Sequence, residues 1–542
     1  MGTTILSNGK IIDGLGNRPF VGHVLIKSDQ IGAVLKENET PPPADMIIDA
    51  SNCAIAPGFI DMHSHADWVL PSSNHSKLLK CLLEQGITTV VAGNCGISPA
   101  PVNHDKLQSA QWHNVASVCH EEPINYTWRS VGEFLDEIEH FHPVVNVAQL
   151  VGHGAIRNSI ADTPYVPMKP KELESCLAEL RNALDQGACG LSFGLGYSPG
   201  MYSPIEEIVA FCRTAKASDK PVTVHLKSYG RLSALYPQVI FSKPHNIRAL
   251  TEMLNIARQI GVKLQVSHVT FGGRKTWPKA KDYIMVIDAA YQEGIDVMFD
   301  AFPYTYGNTT IDVFLIPRFI EAMPASFRSR WARTKLRYMI EMGFRVIGMS
   351  YEDCQLMDAS IEGWEELSGL TIPEIAQRKN ATPFDIILSL SEISKGAALI
   401  LYHASNSEQI LEHILSHDLC LFETDAVTKS RGYPNPAALG TFPKILGHYV
   451  RERKLFSIEK AIQRMTSASA KRFGIKDRGI LAPGKAADIV IFNPETVSET
   501  PPMEGKPAGQ PTGIHHVFVN GTQVVKNGNY TGSVGAGRVL RL

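Results

Sequence analysis

What constrains this chain most is a rhythm: between about residues 55 and 480, apolar runs of strand length alternate with segments of helical period. The runs fall at 56–61, 87–92, 144–151, 190–193, 222–226, 262–267, 297–301 and 419–423. Between 171 and 186, Leu173, Cys176, Leu177, Leu180 and Leu184 recur at spacings of three and four, the signature of a helix with one buried face. Near-continuous apolar strands separated by helices predict a parallel sheet covered on both sides. Eight such units predict an α/β fold, a TIM-like (β/α)8 barrel. A doubly wound open sheet is the alternative, but no Gly-x-Gly-x-x-Gly turn follows the early strands to favour it.

The two ends of the chain have a different texture. Short β runs near 4–6, 9–13, 21–27 and 30–34 are punctuated by Asn8-Gly9 and Asp13-Gly14, and the same pattern returns at 488–492 and 516–521 with Asn520-Gly521. Two small sheets that each need a partner face are satisfied by packing together, so residues 1–55 and 480–542 are expected to form one small β-sandwich domain beside a barrel of residues 56–479. The interval 308–394 breaks the rhythm, with scattered Pro, Trp331 and Trp364, and reads as an insertion late in the barrel. A further apolar run, 398–402, follows it.

Composition excludes several functional classes. Lys+Arg 52 against Asp+Glu 54 leaves a net charge of -2, with no run of like charge, so no nucleic-acid partner is expected. No apolar stretch approaches the roughly 20 residues that span a bilayer, and the first 19 residues lack a basic start followed by an apolar segment, which predicts a cytoplasmic protein without a membrane partner. Nine Cys without regular spacing fit reduced thiols rather than a disulfide framework.

In a parallel barrel, reactive groups gather where strands end. Here the first run ends in His63-Ser64-His65, the second in Gly93-Asn94-Cys95-Gly96, the fifth in His225, the sixth in His268 and the last in Asp425. Strand period 2 points His63 and His65 to the same side, as two ligands of one ion require. A second His-x-His, His140-Phe141-His142, lies in a helix-to-strand connection and is read as incidental. Imidazole and thiolate suit Zn²⁺ and argue against Mg²⁺ or Ca²⁺. Cys95, His225 and His268 make a three-ligand catalytic set with one position open, and His63 and His65 could hold a second ion with the Cys95 sulfur between the two. Asp425 is the natural group to move a proton from water to a leaving nitrogen.

These residues resemble the amidohydrolase superfamily and, within it, the D-aminoacylase (N-acyl-D-amino-acid deacylase) family. The resemblance rests on Pro57 through His65, Gly93-Asn94-Cys95-Gly96-Ile97-Ser98, Val266-Ser267-His268, Gly440-Thr441-Phe442-Pro443, Met465-Thr466 and Gly484-Lys485-Ala486-Ala487-Asp488. It implies a distorted barrel with a small β domain from both termini, a tight zinc on Cys95, His225 and His268, a weaker site on His63 and His65, and Asp425 as catalytic acid/base. It also implies that Tyr304, in Phe302-Pro303-Tyr304, binds the substrate carboxylate. The family's Arg-Asp-Glu after the fifth-strand histidine is absent, since Leu226, Lys227, Ser228 and Tyr229 stand there; its later lysine is Thr270 and its His-Pro-Arg reads Asn435-Pro436-Ala437. Lys227, Lys429 or Arg431 are the cations placed to compensate. The expected activity is zinc-dependent hydrolysis of the amide of an N-acyl-D-amino acid or related N-acyl compound, a small-molecule substrate, in a chain that could form a homo-oligomer. Hydrolysis or deamination of a cyclic or uncharged, hydantoin-like amide is the alternative on the same metal site, and a non-catalytic barrel is a third.

Overall fold

The computed structural model describes residues 2–107, 125–237, 243–314, 329–359, 361–429, 431–503 and 506–542. The chain opens with five strands, β1 (Thr3–Ile11), β2 (Phe20–Lys27), β3 (Gln30–Lys36), β4 (Met46–Asp49) and β5 (Ala54–Pro57). After Gly58 come seven parallel strands, β6 (Phe59–Asp61), β7 (Ile87–Ala92), β8 (Asn146–Gly152), β9 (Gly190–Gly194), β10 (Val222–His225), β11 (Leu264–Val266) and β12 (Val297–Ala301). Three more follow, β13 (Gly307–Thr310), β14 (Cys354–Asp358) and β15 (Leu399–Tyr402), then β16 (Cys420–Phe422). The last six are β17 (Ile489–Phe492), β18 (Ser498–Thr500), β19 (Gly509–Thr512), β20 (Ile514–Val519), β21 (Thr522–Lys526) and β22 (Asn529–Tyr530).

β6 to β12 and β16 form one eight-stranded parallel sheet in the order β16-β12-β11-β10-β9-β8-β7-β6, the nearly closed barrel that the eight apolar runs predict. Its two end strands meet just beyond their own termini, where Asp425 N donates to His63 O and His65 N to Ala426 O. The predicted helix at 171–186 is Pro170–Asp185, burying Cys176, Leu180 and Leu184. Gly58 separates β5 from β6 because a side chain there would run into Thr88. The single apolar run at 56–61 therefore serves two sheets.

β1 to β5 with β17 and β20 to β22 form one continuous nine-stranded sheet rather than two separate ones. Period-2 alternation gives it two apolar faces. Ala54, Ala56, Val490 and Phe492 belong to the barrel's core, while Ile55, Ile489, Ile491 and Phe518 join Leu6, Val24, Ile26 and Ile31 in a core of their own. That second core brings together strands far apart in the sheet order, so the sheet curls on itself, and Ile31 N donates to Lys485 O to join its arms. The Asn520-Gly521 turn is confirmed, with φ of 45° and 77° at the two central residues, as a tight hairpin requires. Asn8-Gly9 is not a turn. Asn8 sits at φ 61° inside β1, where the register against β2 slips, so the signal marks a bulge.

Arg478 and Asp488, both 2% exposed, form a buried ion pair whose carboxylate also accepts from Asn520 N at 2.7 Å and from Asn146 Nδ2 of β8 at 3.0 Å, tying the terminal sheet to the barrel. Removing one partner of such a pair strands the other in a dry site. Asp488→Ala is expected to lower stability by about 3–5 kcal/mol, read as a lower urea midpoint at unchanged zinc content.

β13, β15 and β14 make a separate antiparallel sheet that, with the helices Arg330–Ile347, Ile372–Arg378 and Pro383–Ile393, encloses a second core of Leu336, Ile340, Phe344, Leu356, Ile375, Ile387 and Ile400. The 398–402 run, expected to follow the insertion, is the central strand of this sheet. Arg274 holds Asp353 of this unit through both guanidinium nitrogens, at 2.8 and 2.6 Å, and anchors it above β11. Among the described residues no helix is long and apolar enough to cross a membrane, and all eight cysteines are free.

Candidate metal centre

Five strand ends deliver the predicted residues to one place. The Cys95 Sγ lies 3.3 Å from His63 Nε2, 3.3 Å from His268 Nε2 and 3.9 Å from His225 Nδ1, and those last two nitrogens are 2.9 Å apart. Asp425 Oδ1 stands 3.3 Å from His65 Nε2 and 3.5 Å from His63 Nε2. Two overlapping groups have ligand atoms all within 4.8 Å of one another, His63-Cys95-His268 and His63-His65-Asp425, with His63 common to both. The structure brings the expected residues Cys95, His225 and His268 together, with His63 at the same distance from the sulfur as His268 and His225 farther out. His140 and His142 take no part in either group.

The local backbone shows how the sequence builds this. Cys95, His268 and Asp425 all adopt positive φ, at 58°, 34° and 47°, a conformation that costs a residue with a side chain of order 1–3 kcal/mol and persists where packing over-determines it. Gly93, at φ 80°, carries no Cβ because one would strike the Leu150 carbonyl and sit 2.5 Å from Gln149 Nε2. Tyr197 pins the strained loop by donating its hydroxyl to Cys95 O at 2.6 Å, and Ser192 bridges Gly96 N and Gly93 O.

Burial opposes ionisation of the Cys95 thiol, but the imidazoles of His63, His268 and His225 outweigh it and hold its pKa well below the ordinary thiol value. The Asp425 carboxyl is likewise held below its usual range despite burial, by His65, His63 and His268. Burial pushes the His225 ring down, favouring the neutral form that binds metal. A thiolate among imidazole nitrogens is a donor set that suits zinc, and the two 3.3 Å separations from the sulfur match donors on one tetrahedral zinc, which with bonds of about 2.0–2.3 Å stand roughly 3.3–3.6 Å apart, while the 3.9 and 2.9 Å separations at His225 lie outside that range. The second group, two imidazoles and a carboxylate, fits a weaker ion, and because the single lone pair of His63 Nε2 can serve only one ion, His63 belongs to one site or the other.

Asp300, which the sequence reading missed, organises the centre from below. Its Oδ1 accepts from His268 N at 2.6 Å and lies 3.4 Å from His63 Nδ1, and its Oδ2 accepts from Gln265 at 2.7 Å. It is the one polar residue of β12, a position before the strand's last residue, so a search for polar residues inside the apolar runs could have found it.

The residues singled out for substrate contact are placed differently from one another. The Tyr304 hydroxyl donates to Glu499 Oε2 at 2.8 Å and lies 3.2 Å from Pro436 O, with Lys444 pairing with Glu499 at 3.0 Å and stacking over the Tyr304 ring. Lys429 and Arg431 are both paired with Asp358 of β14, at 2.8 and 3.4 Å. Lys227, half-buried two residues after His225, has no ion pair among the described residues. Thr270 faces the phenol of Tyr402, which the insertion's central strand carries to the rim within electrostatic reach of Asp425.

Fold and centre together define a (β/α)8 barrel of the metal-binding hydrolase class. The chain belongs to the amidohydrolase family, whose sequence profile matches residues 46–229 and 407–525. It is 29% identical to a D-aminoacylase of Alcaligenes xylosoxydans xylosoxydans over 542 residues, covering 99% of this chain and 97% of that protein. An N-acyl-D-glutamate deacylase of the same organism is also 29% identical, over 96% of this chain and 93% of its own length. Among solved structures, N-acyl-D-glutamate deacylase from Bordetella bronchiseptica, complexed with zinc and a phosphonate mimic of the tetrahedral intermediate, superposes with a TM-score of 0.81 at 28% identity over 99% of both chains. A D-aminoacylase whose binuclear centre shows one-metal activation and second-metal attenuation gives 0.80 at 28% identity over 100% of both chains.

Proposed function

We propose that this chain is a zinc-dependent hydrolase that cleaves the amide bond of N-acyl-D-amino acids or related N-acyl compounds, acting on a small-molecule substrate in the cytoplasm. The observation that carries the reading is the Cys95 sulfur set against three imidazole nitrogens, with Asp425 beside the remaining one. Cys95, His225 and His268 would hold the tight ion with one position left open, and His63 and His65, beside Asp425, would border the weaker one. Zinc, when bound, lowers the pKa of a water to about 7 and polarises an amide carbonyl.

The protein's own groups do the rest. Asp425, kept ionised by the surrounding imidazoles, accepts a proton from the attacking water and passes it to the departing nitrogen. Asp300 backs the His63 ring at Nδ1 and holds the His268 backbone through its N–H, steadying both residues at the centre. Incubating the zinc-loaded protein with paired D- and L-N-acetyl amino acids and measuring free amine tests the assignment, and no release from any D-substrate would overturn it.

Lys227 is the cation we assign to the substrate carboxylate, because Lys429, Arg431 and Lys444 are already neutralised by Asp358 and Glu499. A charge-assisted hydrogen bond is worth about 1.5–3 kcal/mol, so Lys227→Met is expected to raise KM for an acyl amino acid about 10–100-fold with kcat little changed. A second reading, hydrolysis of a cyclic or uncharged amide, is favoured by Thr270, Ala437 and the commitment of the Tyr304 hydroxyl to Glu499. In that case Lys227→Met leaves KM unmoved, and ring opening of a hydantoin outpaces deacylation.

A further inference from the structure

We propose that the Tyr229 hydroxyl is a spacer built into the barrel wall that sets the distance between His225 and His268, making Tyr229 a positioning residue of the tight metal site, an assignment that rests on the metal-centre reading above. β10 and β11 pair in parallel from Val222↔Leu264 to Val224↔Val266, and Ser267 N continues the ladder by donating to Val224 O at 3.0 Å. In an evenly spaced parallel ladder the next rung would run from Leu226 N to Ser267 O. That rung is not made directly. Leu226 N donates to the Tyr229 hydroxyl at 3.1 Å, and the hydroxyl donates to Ser267 O at 2.9 Å. Leu226 and Ser267 are both fully buried, so the phenol oxygen supplies the partner that each backbone group needs.

The inserted oxygen sits where the two strands hand over their ligands, because Leu226 follows His225 and Ser267 precedes His268. The ring that carries it packs against both imidazoles, with centroids 5.0 Å from His225 at an interplanar angle of 85° and 5.0 Å from His268 at 56°. The facing nitrogens of His225 and His268 are 2.9 Å apart, closer than either stands to the Cys95 sulfur, so further approach of the strand ends would crowd them off a common ion. His225 depends on this packing more than His63 does. His63 backs its Nδ1 onto the Asp300 carboxylate, whereas among the described residues nothing hydrogen-bonds the second nitrogen of His225, which instead fits against Gly196, where a Cβ would stand 2.9 Å from it. Tyr229 is itself anchored, since its carbonyl accepts from Gly272 N at 3.1 Å in the loop that follows β11.

The test is zinc uptake by the full-length protein. Metal is stripped with a chelator, zinc is titrated back by calorimetry, and Co²⁺ absorption follows the ligand field in wild type, Tyr229→Phe and Tyr229→Leu. Phenylalanine keeps the ring but lets Leu226 N close directly on Ser267 O, drawing His225 towards His268. The expected result is that the first ion binds about 10–100-fold more weakly in Tyr229→Phe, with an altered Co²⁺ spectrum, and more weakly still in Tyr229→Leu. Equal first-ion affinity and identical spectra in wild type and Tyr229→Phe overturn the role of Tyr229 and leave the centre standing. No ion in wild type overturns the centre itself. If Tyr229→Phe does not fold, 3-fluorotyrosine placed at position 229 decides instead: its ¹⁹F signal is expected to shift in step with the first zinc equivalent, and a signal that zinc leaves unmoved overturns the proposal.

Discussion

Cys95→Ala is expected to remove the tight zinc and with it nearly all activity. The sulfur lies within 3.9 Å of His63, His225 and His268 at once, so its loss leaves the His225 and His268 nitrogens 2.9 Å apart without the thiolate beside them. Lewis-acid assistance is worth several kcal/mol, and at 1.36 kcal/mol per factor of ten the fall in kcat/KM should be at least about 10³-fold. The thiol is 5% exposed and alanine is smaller, so the barrel should still form, which circular dichroism would check. Zinc content by elemental analysis near wild-type level, with activity retained, would refute the centre as described.

Asp425→Asn should separate chemistry from metal binding. Asparagine keeps the shape and can still meet His65, but it cannot accept a proton from water. Loss of general acid–base assistance costs typically 10²–10⁴-fold, and that loss is expected in kcat, with KM and the first zinc retained. Asp425 is only 14% exposed and lies against two imidazoles, so a small effect could not be excused by distance from the reacting atoms. A kcat within about tenfold of wild type would move the proton transfer to another group.

Much of this centre was legible because strand geometry converts sequence position into direction. His63 and His65 share a side, and His225, His268 and Asp425 end or follow runs whose apolar character alone marks them as barrel strands. Asp300 escaped because it lies within its run and ends in no obvious motif. Glu499 escaped for a different reason, since it meets Tyr304 across 195 residues of sequence, a partner that only the folded chain supplies. The insertion sheet was illegible at β13, whose Gly-Asn-Thr-Thr carries no apolar period, and β15 consequently looked like a stray run. The Asn8-Gly9 pair shows the same limit, because left-handed backbone is needed equally by a hairpin turn and by a bulge.

The place where the barrel's two end strands meet has a bearing on how the protein is made. Contacts between His63 and Asp425, and between Ser64 and Ala426, join segments more than 350 positions apart. They form both the seam of the barrel and one wall of the ion cradle. A nascent chain therefore carries its first histidines for most of its synthesis without the carboxylate that completes their surroundings, and non-local closure of this kind is slow. Acquisition of the weaker ion should then report that the seam has zipped, making metal uptake a chemical clock for the final step of folding.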